Sequence, residues 1–125
     1  MLDVSSGGNH PKQAIKMHSH YQTDLAGQIR RAVADAGLQL GIAAVGLITQ
    51  AEVARSLVQD GRNKSEGTIE VEDENGQVAK ADLVLAARQF LRDPQWVLNI
   101  AHELNVDVKW SNQYSRAKPR PRNRL

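Results

Sequence analysis

The chain contains no cysteine and no long apolar run, and these two absences exclude several classes of protein. Without cysteine there is no disulfide framework and no thiolate metal site. The longest uncharged stretch, residues 38–48, is shorter than the ~20 apolar residues that a helix needs to cross a bilayer. No charged-then-apolar leader opens the chain, so no signal peptide is expected. These absences predict a cytoplasmic protein without a membrane partner.

The composition is typical of a globular protein rather than a disordered one, since 41% of the residues are hydrophobic and 24% are charged. A length of 125 residues is enough for one domain with a modest core. We expect this domain at residues 1–115, followed by a basic tail at residues 116–125.

The tail, RAKPRPRNRL, contains five basic residues and no acidic one. Clustered basic side chains can bind nucleic acid or another anionic surface by releasing counterions from phosphates. Charge blocks at chain ends are more commonly frayed, solvated termini. No RNA-binding aromatic motif or helix-turn-helix pattern accompanies the tail, so the frayed terminus is favoured and nucleic acid is not an expected partner.

Strand and helix patterns alternate along the chain. Residues 1–8 resemble a strand end that runs into a glycine-rich loop, residues 9–22 predict a loop, and residues 41–48 and 81–87 are apolar runs of strand length. Three helices are predicted from apolar stripes, which comprise Leu25, Ile29, Ala32, Val33 and Ala36, then Ala51, Ala54, Leu57 and Val58, and finally Val97, Ile100, Ala101 and Leu104. This order favours an α/β fold whose parallel strands are joined by helical crossovers.

Helix ends are predicted from local chemistry. Gly37 stands just past the first helix, where a left-handed cap residue is expected. Thr49 and Glu52 fit a capping box at the start of the second helix. Asp93 and Pro94 fit an N-cap acceptor and a first-turn proline for the last helix.

Residues 62–80 interrupt the alternation. The segment 68–72 alternates polar and apolar residues, and Asn75 with Gly76 forms a favoured hairpin turn. These features predict a small acidic hairpin inserted at the amino-terminal rim of the sheet, away from the edge where barrels bind ligands. A charged loop is the open alternative, because isolated two-stranded hairpins are marginally stable.

The residues best suited to ligand binding follow the two full strands. Gly46 offers a backbone that a ligand can approach closely. Arg88 stands just past a strand at the start of a short helical turn, and both a guanidinium and the amides of such a turn favour phosphate oxygens. In (β/α)8 barrels the loops after strands 7 and 8 commonly form a phosphate site. A surface arginine in a salt bridge is the alternative for Arg88.

Five segments resemble, in order, the closing third of the old yellow enzyme family, and in particular its NADPH-dependent ene-reductases from bacteria and fungi. They are residues 3–8 (DVSSGG), 44–49 (AVGLIT), 81–88 (ADLVLAAR), 90–94 (FLRDP) and 113–116 (QYSR). The resemblance covers nearly the whole chain apart from residues 62–80, and its Arg-x-Phe/Leu-Leu-Arg-Asp-Pro segment is quite specific.

The resemblance implies an incomplete (β/α)8 TIM barrel that contains the end of strand 6 and strands 7 and 8 with their helices. A complete barrel needs about 200 residues or more. In the family, backbone amides and an arginine bind the FMN phosphate, which implies that Gly46, Ala87 and Arg88 bind it here. Family members usually have glycine at the position of Ala87. The resemblance also implies that Arg116 reaches the active site of a neighbouring subunit.

The resemblance further implies FMN as cofactor, NADPH as reductant and hydride transfer to an activated alkene. The family's flavin-ring pocket, its substrate-activating His/His or His/Asn pair and its proton-donating tyrosine lie on earlier strands, which this chain lacks. His18 and His20 fall in a predicted loop and are no substitute, and no third ligand beside them suggests a metal site. We therefore expect no catalytic residue in the chain and no turnover by the chain alone.

Several accounts of so short a chain stay open. It is a fragment of an FMN-dependent NAD(P)H oxidoreductase, which we favour, or one part of a split barrel that self-association or another chain completes. A third account is that the chain has kept only a binding role, for a phosphate or for a partner surface. If the resemblance is set aside, a small three-layer α/β module without catalysis remains.

Overall fold

The computed structural model describes residues 1–59 and 78–117, and the predicted alternation of strands and helices is confirmed there. The elements are β1 (Leu2–Val4), α1 (Thr23–Asp35), β2 (Ile42–Val45), α2 (Ala51–Val58), β3 (Leu83–Leu85), α3 (Arg88–Arg92), α4 (Trp96–Glu103) and a 3₁₀ helix (Asn112–Ala117). The predicted loop at residues 9–22 contains no strand or helix.

The strands form a parallel sheet in the order β1-β2-β3. The register sets Val4 opposite Ala44 and Val45 opposite Leu85. In the central strand, Ile42 and Ala43 have no accessible surface, as expected for a strand that is covered on both faces. The α/β class with parallel strands is thus confirmed, and barrel closure stays a prediction.

Both full strands are shorter than predicted. Strand β2 ends at Val45 because the next two residues, Gly46 and Leu47, have positive φ angles of 106° and 55° and leave the extended conformation. Strand β3 begins at Leu83, which is 43% exposed. The prediction of a fully buried strand is wrong for Leu83, because β3 has a neighbour on only one side of the described sheet and an apolar run does not distinguish an edge strand from a central one.

The core lies between the sheet and the helices. Ile42 and Ala44 of β2 pack with Ala26 of α1, Leu57 of α2 and Trp96 of α4. The remaining buried members of this cluster are Val4, Ile48, Ala54 and Ala81. Helices α1, α2 and α4 each contribute a few small or apolar side chains to this core, whereas α3 has no buried residue.

The apolar stripe of α1 is offset from its prediction. Ala26 is buried, and Ile29 and Val33 pack against the core, whereas Leu25, Ala32 and Ala36 are exposed. The predicted stripe is therefore right at Ile29 and Val33 and wrong at Leu25, Ala32 and Ala36, since periodicity alone does not fix the rotation of a helix against the sheet.

The end of α1 confirms the predicted left-handed cap. Gly37 has a φ angle of 66°, and its N–H donates to the Ala34 carbonyl at 3.0 Å. The N–H of Leu38 donates to the Val33 carbonyl at 3.0 Å. This pair of bonds is the Schellman arrangement, which a glycine at this position allows without steric cost.

The capping box predicted for α2 is wrong. The N-cap residue is Gln50, and no side chain caps the helix. The Glu52 carboxylate pairs with Arg55, three residues along the same helix, at 2.8 Å. The Glu52 carboxylate therefore pairs with the Arg55 guanidinium and not with the backbone amide that a capping box requires. Of the residues predicted on the buried stripe of α2, Ala51 is buried as expected, whereas Val58 is exposed.

The last helix begins later than predicted. Its first residue is Trp96, and Gln95 is the N-cap residue. The Asp93 carboxylate accepts hydrogen bonds from the Gln95 N–H at 3.1 Å and from the Asn99 amide at 2.7 Å, so Asp93 closes the turn before the helix. Val97, predicted to face the core, is 57% exposed, and Trp96 is buried in its place.

An acidic side chain at the amino end of β3 ties three elements together. Asp82 accepts a hydrogen bond from the Ile42 N–H at 2.8 Å, and Arg30 of α1 pairs with its other carboxylate oxygen at 3.1 Å. The Ile42 N–H, followed by the Arg30 guanidinium, lowers the pKa of Asp82 against the opposing effect of burial. Nearby, Lys80 pairs with Asp24 at 2.8 Å and lowers the pKa of that carboxyl.

Two predicted segments fall mainly outside the described residues. Of the predicted hairpin, residues 62–77 are not described, and Val78, Ala79 and Lys80 form no strand. The amides of Lys80 and Ala81 both donate to the Leu57 carbonyl at 2.9 Å, which brings the chain back against the end of α2. Most of the basic tail, residues 118–125, is also not described. In residues 1–59 and 78–117, no helix combines the length and apolarity needed to cross a bilayer.

Candidate functional site

The structure brings the predicted phosphate-binding residues to one edge of the sheet. Because β2 and β3 are parallel and Val45 stands opposite Leu85, the residues that follow leave the two strands side by side. Gly46 comes directly after β2, and Ala87 and Arg88 come two and three residues after the end of β3. The carboxyl edge of a parallel sheet is where α/β proteins bind their ligands.

Gly46 is required by both its backbone and its surroundings. Its φ angle of 106° lies in a region that side-chain-bearing residues rarely adopt. A Cβ atom at this position would also overlap the carboxamide oxygen of Gln22. The polypeptide backbone after β2 is therefore packed directly against a polar side chain from another segment.

Gln22 is the site residue that sequence reasoning missed. Its side chain is 6% exposed, and its Nε2 donates a hydrogen bond to the Ser6 carbonyl oxygen at 3.0 Å. Gln22 therefore bridges the loop after β1 and the loop after β2. A glutamine at the end of an aperiodic stretch carries no local signal of burial, and only the approach of the two loops reveals it.

Ala87 and Arg88 stand at the start of α3, the short helix after β3. Ala87 precedes α3 with a φ angle of −112°, so its methyl group causes no backbone strain. Both residues are exposed. Within the described part of the chain, the Arg88 side chain makes no ion pair or hydrogen bond. The salt-bridge alternative for Arg88 therefore has no support in this part of the structure, and its guanidinium is available to a ligand.

Trp96 holds the segment after β3 to the loop after β2. Its ring packs edge-on against Phe90 of α3, with ring centroids 5.5 Å apart and planes at 90°. Its indole N–H donates to the Thr49 carbonyl oxygen at 3.1 Å. One buried side chain thus fixes α3, and with it Arg88, relative to the loop that begins at Gly46.

A cavity of 280 Å³ lies between Thr49, α3 and α4, and half-buried His102 forms part of its wall. The Asp93 carboxylate in the wall already accepts two hydrogen bonds, from Gln95 and Asn99. These two bonds organise the start of α4, and no described group of the wall identifies a ligand.

The remaining predicted residue, Arg116, is exposed on the 3₁₀ helix. Among the described residues, no hydrogen bond or ion pair joins it to Gly46, Ala87 or Arg88. Its predicted role at a neighbouring subunit therefore stays a prediction. His18 and His20 are likewise exposed, and no group of three or more potential metal-ligating side chains occurs in residues 1–59 and 78–117.

Comparison with curated proteins finds relatives among NAD(P)H oxidoreductases. Over 115 residues, or 90% of this chain, it is 38% identical to an NADH:flavin oxidoreductase of Gibberella zeae, of which the match covers 22%. Over 94% of the chain it is 37% identical to an NADPH dehydrogenase of Bacillus licheniformis, and over 93% it is 35% identical to one of a Geobacillus species; each match covers 27% of the relative. No protein-family model matches the chain.

The chain is thus homologous over about 90% of its length to NADPH dehydrogenases and an NADH:flavin oxidoreductase, which confirms the predicted resemblance to the old yellow enzyme family. It spans about a quarter of the length of the curated relatives that it matches.

Proposed function

We propose that the chain is a piece of an FMN-dependent NAD(P)H oxidoreductase of the ene-reductase type, and that Gly46, Ala87 and Arg88 hold the phosphate end of FMN. The observation that carries the proposal is that Gly46 and Arg88 follow two paired parallel strands at the same carboxyl edge of the sheet, in a chain whose relatives are named for flavin and NADPH. The three strands would be the end of strand 6 and strands 7 and 8 of a TIM barrel.

The chemistry of these residues fits a phosphate group. Gly46 presents backbone without a side chain, so an anion can approach its amide closely. The first N–H groups of a helix have no partner within it, and Ala87 and Arg88 stand where α3 begins. The Arg88 guanidinium adds a positive charge and up to two parallel hydrogen bonds. With no intramolecular partner to lose in the described structure, Arg88 binds an anion without first breaking an ion pair.

The catalytic end of the proposed enzyme lies outside this chain. Bound flavin supplies the hydride-transfer chemistry between NADPH and an activated alkene. The groups that surround the flavin ring and polarise the alkene belong, by the family resemblance, to strands that precede β1. The part played by the chain's own residues is to hold the phosphate and orient the cofactor from one end.

Calorimetry can compare the affinities of the full 125-residue chain for FMN and for riboflavin. Because riboflavin lacks the phosphate, the difference between the two affinities tests the phosphate site. We expect FMN to bind more tightly than riboflavin. Arg88→Met should weaken FMN binding by about tenfold or more, the effect of a lost charge-assisted hydrogen bond, and leave riboflavin binding unchanged. Arg92→Met is the matched control, since Arg92 is an exposed arginine of the same short helix.

Equal affinity for the two flavins, or FMN binding that Arg88→Met does not alter, would contradict the phosphate site. It would favour a plain α/β module instead. A separate assay of NADPH-dependent enone reduction should show no turnover by this chain alone. Robust turnover would show that a catalytic end is encoded within the chain.

A second proposal concerns partners. In the described sheet, β1 and β3 each pair on one side only, and Leu2 and Leu83 are 39% and 43% exposed. Unpaired parallel edges with apolar side chains favour association with further strands, so we propose that another chain or self-association completes the fold. Arg116 would then contact the neighbouring subunit. Light scattering of the purified chain, with and without the Arg116→Ala substitution, tests this, and a stable monomer would contradict self-association.

A further inference from the structure

Gln22 occupies an unusual position for a polar residue that directly precedes a helix. Its backbone carbonyl accepts the Ala26 N–H at 3.0 Å, so its main chain is held by the first turn of α1. Its side chain leaves that helix end and runs between the loops that follow β1 and β2, where it is 6% exposed. Both its main chain and its side chain are therefore fixed by the surrounding structure.

The Gln22 side chain joins the loop after β1 to the loop after β2, and strand pairing between β1 and β2 does not extend into these loops. Its Nε2 donates to the Ser6 carbonyl oxygen at 3.0 Å, and its carboxamide oxygen packs on the backbone of Gly46. Gly46 and Leu47 both have positive φ angles; glycine adopts this conformation freely, whereas at Leu47 surrounding structure must maintain it. Because a side chain at residue 46 would overlap Gln22, glycine and glutamine fit there as a pair.

We propose that Gln22 is a positioning residue for the phosphate site: it holds the Gly46 backbone at a set distance from the loop after β1 and thereby raises the affinity for a phosphate monoester. The phosphate part of this inference rests on the proposed function. The part that concerns the Gly46 backbone does not, and it has its own measurement below.

The two polar atoms of the carboxamide explain why glutamine suits the position. A glutamate carboxylate would have the same shape, but it could not donate to the Ser6 carbonyl and would place a negative charge beside a phosphate. A protonated carboxyl group would restore both properties, since its O–H donates and its charge is absent. Burial raises the pKa of a carboxyl group, which brings this protonation within an accessible pH range.

The experiment compares FMN and riboflavin binding by the full chain and its Gln22→Glu and Gln22→Met variants, at about pH 8 and about pH 5. At the higher pH, Gln22→Glu should weaken FMN binding by about tenfold or more, and at the lower pH most of the loss should disappear. Gln22→Met should weaken FMN binding at both pH values, and riboflavin binding should not change. Wild type at each pH corrects for ionisation of the phosphate itself. The matched control is Gln28→Glu, an exposed glutamine on α1.

A second measurement does not need flavin. In ligand-free chain labelled with ¹⁵N, Gln22→Met should shift or broaden the amide signals of Gly46 and Leu47, whereas Gln28→Glu should leave them in place. Unchanged Gly46 signals would overturn the positioning role. Shifted signals with unchanged FMN affinity would overturn its link to phosphate.

The two proposals fail in distinguishable ways. If wild type binds FMN no better than riboflavin, the phosphate site is wrong and the phosphate role of Gln22 falls with it, whatever the Gly46 signals show. If wild type prefers FMN and Arg88→Met abolishes that preference, but Gln22→Glu binds FMN like wild type at the higher pH, the proposed function stands and the inference about Gln22 is wrong.

Discussion

The indole N–H of Trp96 donates a hydrogen bond to the backbone carbonyl oxygen of Thr49 across 3.1 Å and so joins α4 to the loop after β2. Trp96 is 6% exposed and belongs to the main core cluster. The Trp96 side chain therefore makes both apolar contacts in the core and a polar contact with Thr49. It links the core to the edge of the sheet where the candidate site lies.

Substitution of Trp96 by phenylalanine tests this link. The change keeps an aromatic ring but removes the donor, leaving the Thr49 carbonyl without this partner. We expect the free energy of unfolding to fall by about 1 kcal/mol or more, because a lost buried hydrogen bond is compounded by the smaller ring. Urea titration measures it, and Val97→Ala, at an exposed position of the same helix, should change stability by less than about 0.5 kcal/mol. Equal effects of the two variants would argue against the link.

Thr49 should be tolerant of side-chain loss, in contrast to what a capping box predicts. No side chain caps α2, and it is the main-chain carbonyl of Thr49 that Trp96 uses. Thr49→Ala should therefore change the free energy of unfolding by less than about 0.5 kcal/mol, whereas loss of an N-cap hydroxyl typically costs about 1 kcal/mol. If urea titration shows that Thr49→Ala lowers the free energy of unfolding by about 1 kcal/mol, the Thr49 hydroxyl caps α2 after all.

Acid should weaken the contacts of Asp82. Its pKa in the folded chain is lowered from the ordinary value of 3.8, chiefly by the Ile42 N–H and then by Arg30. A carboxyl group whose pKa is lower in the folded chain than in the unfolded chain stabilises the fold at pH values above its unfolded-state pKa. This stabilisation is lost as the pH falls through the folded-state pKa. Asp82→Asn should thus be less stable than wild type at neutral pH, and the difference should narrow below pH 3.8.

Two arginine variants serve as controls for the acid experiment. Arg30→Gln removes the ion pair but keeps the bond from Ile42, so it should reduce the pH dependence by less than Asp82→Asn does. Arg31→Gln, at the exposed neighbouring position of α1, should retain the wild-type pH profile. Urea unfolding at several pH values measures all three, and a difference between Asp82→Asn and wild type that is independent of pH would show that the carboxylate charge is not the cause.

Gly37 and Gly41 form a matched pair of glycines. Gly37 has a φ angle of 66° with no atom within 4 Å of an added Cβ, so Gly37→Ala tests backbone conformation alone. We expect it to cost about 1–2 kcal/mol, the penalty of a left-handed alanine. Gly41 has no positive φ angle and ample space, so Gly41→Ala should fall within about 0.5 kcal/mol of wild type. Similar thermal midpoints for the two variants would contradict the cap.

Local chemistry was a reliable guide where one backbone position decides the outcome. Gly37 was predicted as a left-handed cap and forms one, since a helix that ends there needs a residue without steric cost. The apolar character of residues 41–48 predicted a buried strand, because a strand covered on both faces needs little but apolar side chains, and Ile42, Ala43 and Ala44 are buried. The order of strands and helices followed from the same reasoning.

Predictions failed where several partners compete for one group. Thr49 and Glu52 fit a capping box, but Glu52 pairs with Arg55. Leu25 and Val97 fit helical stripes, but the rotation of each helix depends on what packs beside it, and Ala26 and Trp96 are buried instead. Spacing limits a helix to a few faces, and only packing against the sheet selects one.

By itself, the sequence determined the α/β class, the alternation of elements, the relation to flavin-linked oxidoreductases and the candidates Gly46 and Arg88, because each depends on local propensity or on a short ordered motif. Only the tertiary structure decided that these residues share one sheet edge, that Arg88 is unpaired in the described part of the chain, and that Gln22 is buried between two loops. Those relations join residues that are distant along the chain, and they exist only after the parallel strands align and the loops between them pack.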